Sequence, residues 1–171
     1  TNQEWEKNRI IFSEKYKDSL PIKINRILRK KEKLNILIGC LNFNDYTGSE
    51  LHVYELAKGL KKLGHNISIC SNVGGDIQRK DGIKIPAKGQ LYQTQPIKFD
   101  LLHLHHKPIT EHLLRLYPQT TTVCTIHSEV IDLEHPVIDD RIKKYICIRP
   151  EIQDFITKDF GIDINKTNVV Y

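Results

Sequence analysis

Five of the chain's eight histidines, His103, His105, His106, His112 and His127, crowd into residues 103–127. Imidazoles gathered in this way can hold a metal, move protons, or orient a ligand by hydrogen bonds. The spacing speaks against the first. No pair has the compact separation of a structural zinc site, and a catalytic zinc wants a third convergent ligand, so no metal is expected. His103 and His105 alternate onto one face of a strand while His106 falls on the other. His105 is expected at the rim of a cleft, with His103 packed beneath it. His127 is the principal candidate. It ends the apolar run Thr121–Ile126, and an imidazole in that position needs a polar partner or solvent.

A second cluster is Tyr46-Thr47-Gly48-Ser49-Glu50. Gly48 lets backbone N–H groups approach an anion closely. A helix starting there turns its free N–H groups and the positive end of its dipole outward, which suits a phosphate or carboxylate. A plainer reading is a turn glycine opening a helix, with Ser49 as N-cap and Glu50 as the acid that complements the dipole. His52 would project from the first helical turn toward the same cleft. Ser128 and Glu129 follow His127 directly, and Glu129 is either a hydrogen-bonding group or a surface acid. Arg149 binds an anion bidentately if it points inward and is a surface charge if it points out.

The elements that must position these residues alternate in type. Apolar runs predict strands over about 34–40, 67–71, 83–85, 100–105, 121–126, 145–148 and 167–171. Helical spacing predicts helices over about 49–63, 109–117 and 150–160, with a short one near 136–143. Pro108 and Pro150 sit where a first-turn proline is favoured, and Gly64 where a left-handed C-cap falls. Alternating strands and helices define an α/β fold, a doubly wound parallel sheet flanked by helices. In such sheets ligands bind beyond the carboxyl ends of the strands, near the reversal of strand order. The segments 46–50, 105–107 and 127–129 are therefore expected along one rim. A NAD-binding Rossmann domain would need Gly-x-Gly-x-x-Gly straight after the first strand and an acid closing the second. The loop 41–48 has one glycine and the second strand ends Ser71-Asn72, so that class is disfavoured.

Four pieces of the chain, in order, resemble the opening domain of family 4 glycosyltransferases of the GT-B fold. They are Gly48-Ser49-Glu50-x-His52-Val53 with Leu56-Ala57 and Gly64-His65 behind it; Phe99-Asp100-Leu101-Leu102-His103-Leu104-His105; Thr121-Thr122-Val123-Cys124-Thr125-Ile126-His127-Ser128; and Lys144–Ile148 followed by a helix and Thr167–Tyr171. The resemblance covers roughly residues 34–171. It implies a Rossmann-like, acceptor-side domain, an active site shared with a second domain absent from this chain, and retention of anomeric configuration without a divalent metal. The second domain would bind most of the nucleotide–sugar donor through paired glutamates. The resemblance also implies that His127 contacts the transferred sugar and positions it by hydrogen bonding. The substrate-binding set would be Thr47, Gly48, Ser49, Glu50, His52, His105, Ser128, Glu129 and Arg149, with Glu129 on an acceptor hydroxyl. Two departures stand out. The family's loop before the first helix usually carries a glycine where this chain has Thr47, and just after the strand at 145–148 the family generally has a serine where this chain has Arg149. Half of a nucleotide-sugar epimerase and a non-catalytic interaction domain share this architecture and remain alternatives.

Composition sets the outer limits. The 171 residues are 39% hydrophobic and carry a net charge of +5. Residues 1–33 hold ten basic and five acidic side chains, and the sixteen of each sign in the remainder cancel. A neutral globular part argues against a nucleic-acid partner. The segment 1–33 is read as a basic helical extension or linker, with residues 20–33 available for peripheral contact with an anionic membrane. No apolar run reaches the ~18–20 residues that cross a bilayer, and no secretory signal leads the chain. Cys40, Cys70, Cys124 and Cys147 each lie within a predicted strand, without metal or disulfide spacing, as buried hydrophobes of a cytoplasmic protein. The run Val169-Val170-Tyr171 ends in an apolar strand, so a longer polypeptide is expected. No tightly bound cofactor is expected; the nucleotide-sugar would be substrate, and the acceptor a glycan, a lipid-linked glycan or a protein.

Overall fold

The computed structural model describes residues 33–43, 48–71, 73–74, 98–129 and 132–170. Segment 1–32, Thr47, the strand expected at 83–85 and Tyr171 lie outside the described residues. Apart from Lys33, the described residues belong to one compact unit, Leu34–Tyr171.

Strand β1 (Asn35–Gly39) is succeeded by the two-residue β2 (Asn42–Phe43), helix α1 (Gly48–Lys62), β3 (Asn66–Cys70) and the two-residue β4 (Val73–Gly74). Then come β5 (Leu101–His105), α2 (Lys107–Leu116), β6 (Thr122–Ile126), a 3₁₀ turn (Asp132–Glu134), β7 (Ile142–Cys147), α3 (Pro150–Lys158), a second 3₁₀ turn (Ile164–Lys166) and β8 (Thr167–Val169). Six strands form one parallel sheet in the order β3-β1-β5-β6-β7-β8, and β2 pairs with β4 apart from it. This is a Rossmann-like α/β fold. The chain moves from β1 outward to β3 and then crosses back to β5 on the other side of β1. The strand order therefore reverses between β1 and β5, where a crevice opens at the carboxyl ends.

Both faces of the sheet are covered, which is why β1 reads as a continuous apolar run. One face packs Ile36, Ile38, Ile67 and Ile69 with Val53 and Ala57 of α1. The other packs Leu37, Leu102, Leu104 and Ile142 with Ile109 and Leu113 of α2 and Ile152 and Ile156 of α3. Gly39 is where α2 presses hardest on β1. A β-carbon there would sit 2.7 Å from Leu113 Cδ1 and 2.8 Å from Leu104 Cδ2.

Local chemistry sets the element ends. Gly64 adopts φ +97°, the Gly64 N–H donates to Lys61 O and the His65 N–H to Leu60 O. That pair of bonds is a Schellman cap closing α1. Pro108 and Pro150 occupy the first turns of α2 and α3. Helix α1 begins one residue earlier than the pattern suggests, at Gly48. Ser49 is thus inside the first turn and is not the N-cap that its residue type suggested.

The short helix expected near 136–143 is absent, and β7 starts at Ile142 instead. Asp139 is responsible. Its carboxylate takes the Arg141 backbone N–H at 2.9 Å and also binds the Arg141 guanidinium. Such short-range capture of a backbone N–H competes with helix. Arg141 in turn reaches Leu114 O at the end of α2, and Tyr145 Oη donates to Val137 O. The segment is pinned extended by its neighbours. All four cysteines are free and buried, and burial pushes the Cys124 thiol up to about 12. Among the described residues no helix is long and apolar enough to cross a membrane.

Candidate functional site

The crevice at the switch point is built from several chain segments that return to one end of the sheet. From the end of β5 come His103 and His105, whose rings stack with centroids 4.9 Å apart and planes 2° apart. His103 Nε2 lies 2.7 Å from Thr125 Oγ1 on neighbouring β6. His105 has no exposed surface. The expectation that it faces the rim does not hold: it is roofed by His127, the residue directly after β6. His105 Nδ1 and His127 Nε2 are 2.8 Å apart and hydrogen-bonded. His52 of α1 sets its ring edge-on against both, 5.1 Å from His127 and 5.7 Å from His105.

His106 holds the crevice floor together. Its backbone has φ +66° and ψ 136°, a conformation that costs a residue with a β-carbon on the order of 1–3 kcal/mol. The surroundings enforce it. The Leu41 N–H, just past β1, donates to His106 Nδ1 at 3.3 Å. Because Nδ1 accepts, the ring proton is on Nε2, which points at Glu134 Oε1 3.3 Å away. The His106 carbonyl accepts from the Thr110 N–H and hydroxyl. One residue, through its ring and its carbonyl, thus ties the loop after β1, the start of α2 and the 3₁₀ turn after β6 into a single wall.

The mouth of the crevice is an open depression of about 440 Å³ lined by Gly48, Ser49, His52, His127, Ile148 and Val170. Described parts of three segments singled out in the sequence thus come together at one end of the sheet: Gly48 and Ser49 with His127 at the mouth, and His105 beneath His127. Not every candidate reaches the mouth. Glu50 is buried in the first turn of α1. Arg149 directs its guanidinium to Glu129, 2.6 Å from Oε1, so each neutralises the other on the half-exposed rim. Sequence reasoning passed over Glu134, Ile148 and Val170. Glu134 stands alone in Asp132-Leu133-Glu134 with no spacing to mark it, and only the fold brings it under His106.

Burial keeps His52, His103, His105 and His127 uncharged. Burial, with the charges of His52 and His127 adding to it, lowers His103 to about 4. Burial likewise dominates at His127, lowered to about 4; Glu134 pulls it up while His52 and His106 push it down. Burial lowers His52 as well, and His105 lies well below the ordinary histidine value for the same reason. At Glu134 burial raises the carboxyl, but the hydrogen bond and charge of His106, with His127, bring it below the usual range. At neutral pH the rings facing the depression are hydrogen-bonding groups rather than cations. Among the described residues no three His, Cys, Asp or Glu side chains are arranged to hold a metal ion.

Fold and crevice together define a Rossmann-like α/β domain whose candidate site sits at the topological switch point. A solved structure of similar fold is a glycosyltransferase from Rickettsia africae ESF-5 (TM-score 0.56, 17% identity). The match covers 81% of this chain and 43% of that one, so the chain spans less than half the length of its neighbour. The fold is glycosyltransferase-like. No family model and no curated sequence matches the chain.

Proposed function

We propose that residues 34–171 are the N-terminal, acceptor-side domain of a family 4 GT-B glycosyltransferase, moving a sugar from a nucleotide-sugar donor to a glycan, lipid-linked or protein acceptor with retention. The observation that carries this reading is the convergence of Gly48, Ser49, His52 and His127 on one depression at the switch point. The partial coverage of the neighbouring glycosyltransferase supports a two-domain enzyme of which this unit is one half. In this reading His127 hydrogen-bonds the transferred sugar. The start of α1 brings backbone N–H groups near the donor phosphate, and the Glu129–Arg149 pair borders the acceptor. The second domain supplies most donor contacts, and residues 20–33 give peripheral contact with an anionic membrane on the cytoplasmic side.

Because the ring cluster is uncharged, it suits hydroxyl groups better than phosphates. Phosphate charge would be met by helix dipole and by the second domain. The test is a polypeptide extending past Tyr171 through a second α/β unit, supplied with radiolabelled nucleotide-sugars and a mixed glycan acceptor. Label on the acceptor is expected. Label that stays on nucleotide as an epimerised sugar would replace this reading by the epimerase one, and no turnover would favour an interaction domain.

A further inference from the structure

The His105–His127 bond admits two proton arrangements, and burial separates them. His105 Nε2 is fully enclosed and finds no hydrogen-bond partner among the described residues. If His127 donated from Nε2, His105 Nδ1 would accept, and the His105 proton would lie on Nε2 as an enclosed N–H with nothing to receive it. Orphaned buried N–H groups are rare in folded proteins, and leaving one costs about 1–3 kcal/mol. If His105 donates instead, its proton is on Nδ1 and engaged, and Nε2 is left with a bare lone pair stacked among rings. His127 Nε2 then accepts, so its own proton must be on Nδ1.

Resting on the reading of His127 as a sugar-contacting residue, we infer that His105 is a positioning residue which donates from Nδ1 to His127 Nε2 and so fixes His127 as an Nδ1–H donor toward the ligand. His105 never meets substrate, having no exposed surface. It sets which group His127 offers. A histidine left to itself exchanges its proton between nitrogens and accepts as readily as it donates. One locked from below is a fixed donor, selective for an oxygen lone pair such as a sugar hydroxyl or ring oxygen. His103 completes the wall: its stack on His105 and its bond to Thr125 hold the donating ring at the angle His127 requires. His52, His106 and Glu134 also face His127. The His127 ring meets His52 and His106 through ring faces and edges, and in this inference its Nδ1 is the atom offered to a ligand in the depression that His127 lines.

The experiment is ¹⁵N NMR on the 171-residue chain, labelled at histidine and recorded at neutral pH, with long-range correlations that report which ring nitrogen bears the proton. The expected result is Nδ1–H at both His105 and His127. A His127 proton on Nε2 would overturn the inference. His105→Asn, whose amide can place a donor near the position of Nδ1, should preserve the His127 tautomer. His105→Leu should release it to the Nε2–H form that isolated imidazole prefers; an unchanged Nδ1–H signal in folded His105→Leu would also overturn it. Should the leucine variant fail to fold, the wild-type and asparagine spectra still decide. In the extended enzyme the leucine variant should lose about tenfold in kcat/KM and the asparagine variant should recover most of it, whereas equal losses would reduce His105 to packing. Absence of any sugar transfer would refute the proposed function and leave the spectra to judge the histidine pair on their own.

Discussion

The inner wall of the crevice and its outer rim are built on opposite terms. The wall (His103, His105, His106 and Glu134) is buried, hydrogen-bonded across β5, β6 and the loop after β1, and includes a strained backbone at His106. The rim (Gly48, Ser49, His52, Glu129 and Arg149) is exposed or half-exposed and carries its polar groups on helix starts and loops. A wall of that kind holds its geometry before any ligand arrives. A rim of that kind can vary without cost to the fold. Substitutions in the first region should therefore register in stability, and those in the second in binding.

The largest expected break in that contrast is acid. Both His103 and His127 are lowered from 6.5 to about 4. Between those values the unfolded chain binds protons that the fold refuses, so stability is full above the ordinary histidine range and falls as pH drops toward 4. For His103 alone the loss is on the order of 3 kcal/mol. Urea midpoints measured at pH 7 and pH 4 should show it; a flat profile would mean the rings titrate normally.

Next in size comes Gly39→Ala. The added methyl collides with Leu113 and Leu104, and overpacking of this type costs about 1–3 kcal/mol, readable by thermal or urea unfolding. Gly48→Ala sharpens the comparison because nothing lies within 4 Å of the added β-carbon. Its stability should be unchanged or raised by about 0.5–1 kcal/mol. If the start of α1 receives the donor as proposed, nucleotide-sugar affinity in the extended polypeptide should nonetheless fall, since the methyl would enter that space; isothermal titration would measure this. The smallest effect belongs to Arg149→Ala. The Glu129–Arg149 pair is solvent-screened, so the urea midpoint should not move.

Much of this organisation was legible in the residues themselves. Apolar runs marked β1, β3, β5 and β6 to within a residue or two, and Gly64, Pro108 and Pro150 marked helix ends, because those signals are local. The rim also followed from the rule for open sheets, once the segments after β1, β5 and β6 had been placed. Depth was not legible. Period-two alternation assigns His103 and His105 to one face but cannot tell that His127 folds over His105. Pairings that only the fold creates were equally hidden: Arg141, held by Asp139 two residues before it, donates to Leu114 O and keeps the expected helix as extended chain. Glu134 became a partner of His106 only through the return of the loop after β6.

The most direct test of a sugar site at the switch point is turnover of the extended protein with His127→Ala, using Gly39→Ala as a control for lost stability. Removing a donor aimed at the transferred sugar should lower kcat by about 10²-fold while Gly39→Ala, once folded, retains turnover. Wild-type kcat in a folded His127→Ala enzyme would contradict the assignment of this crevice to sugar transfer.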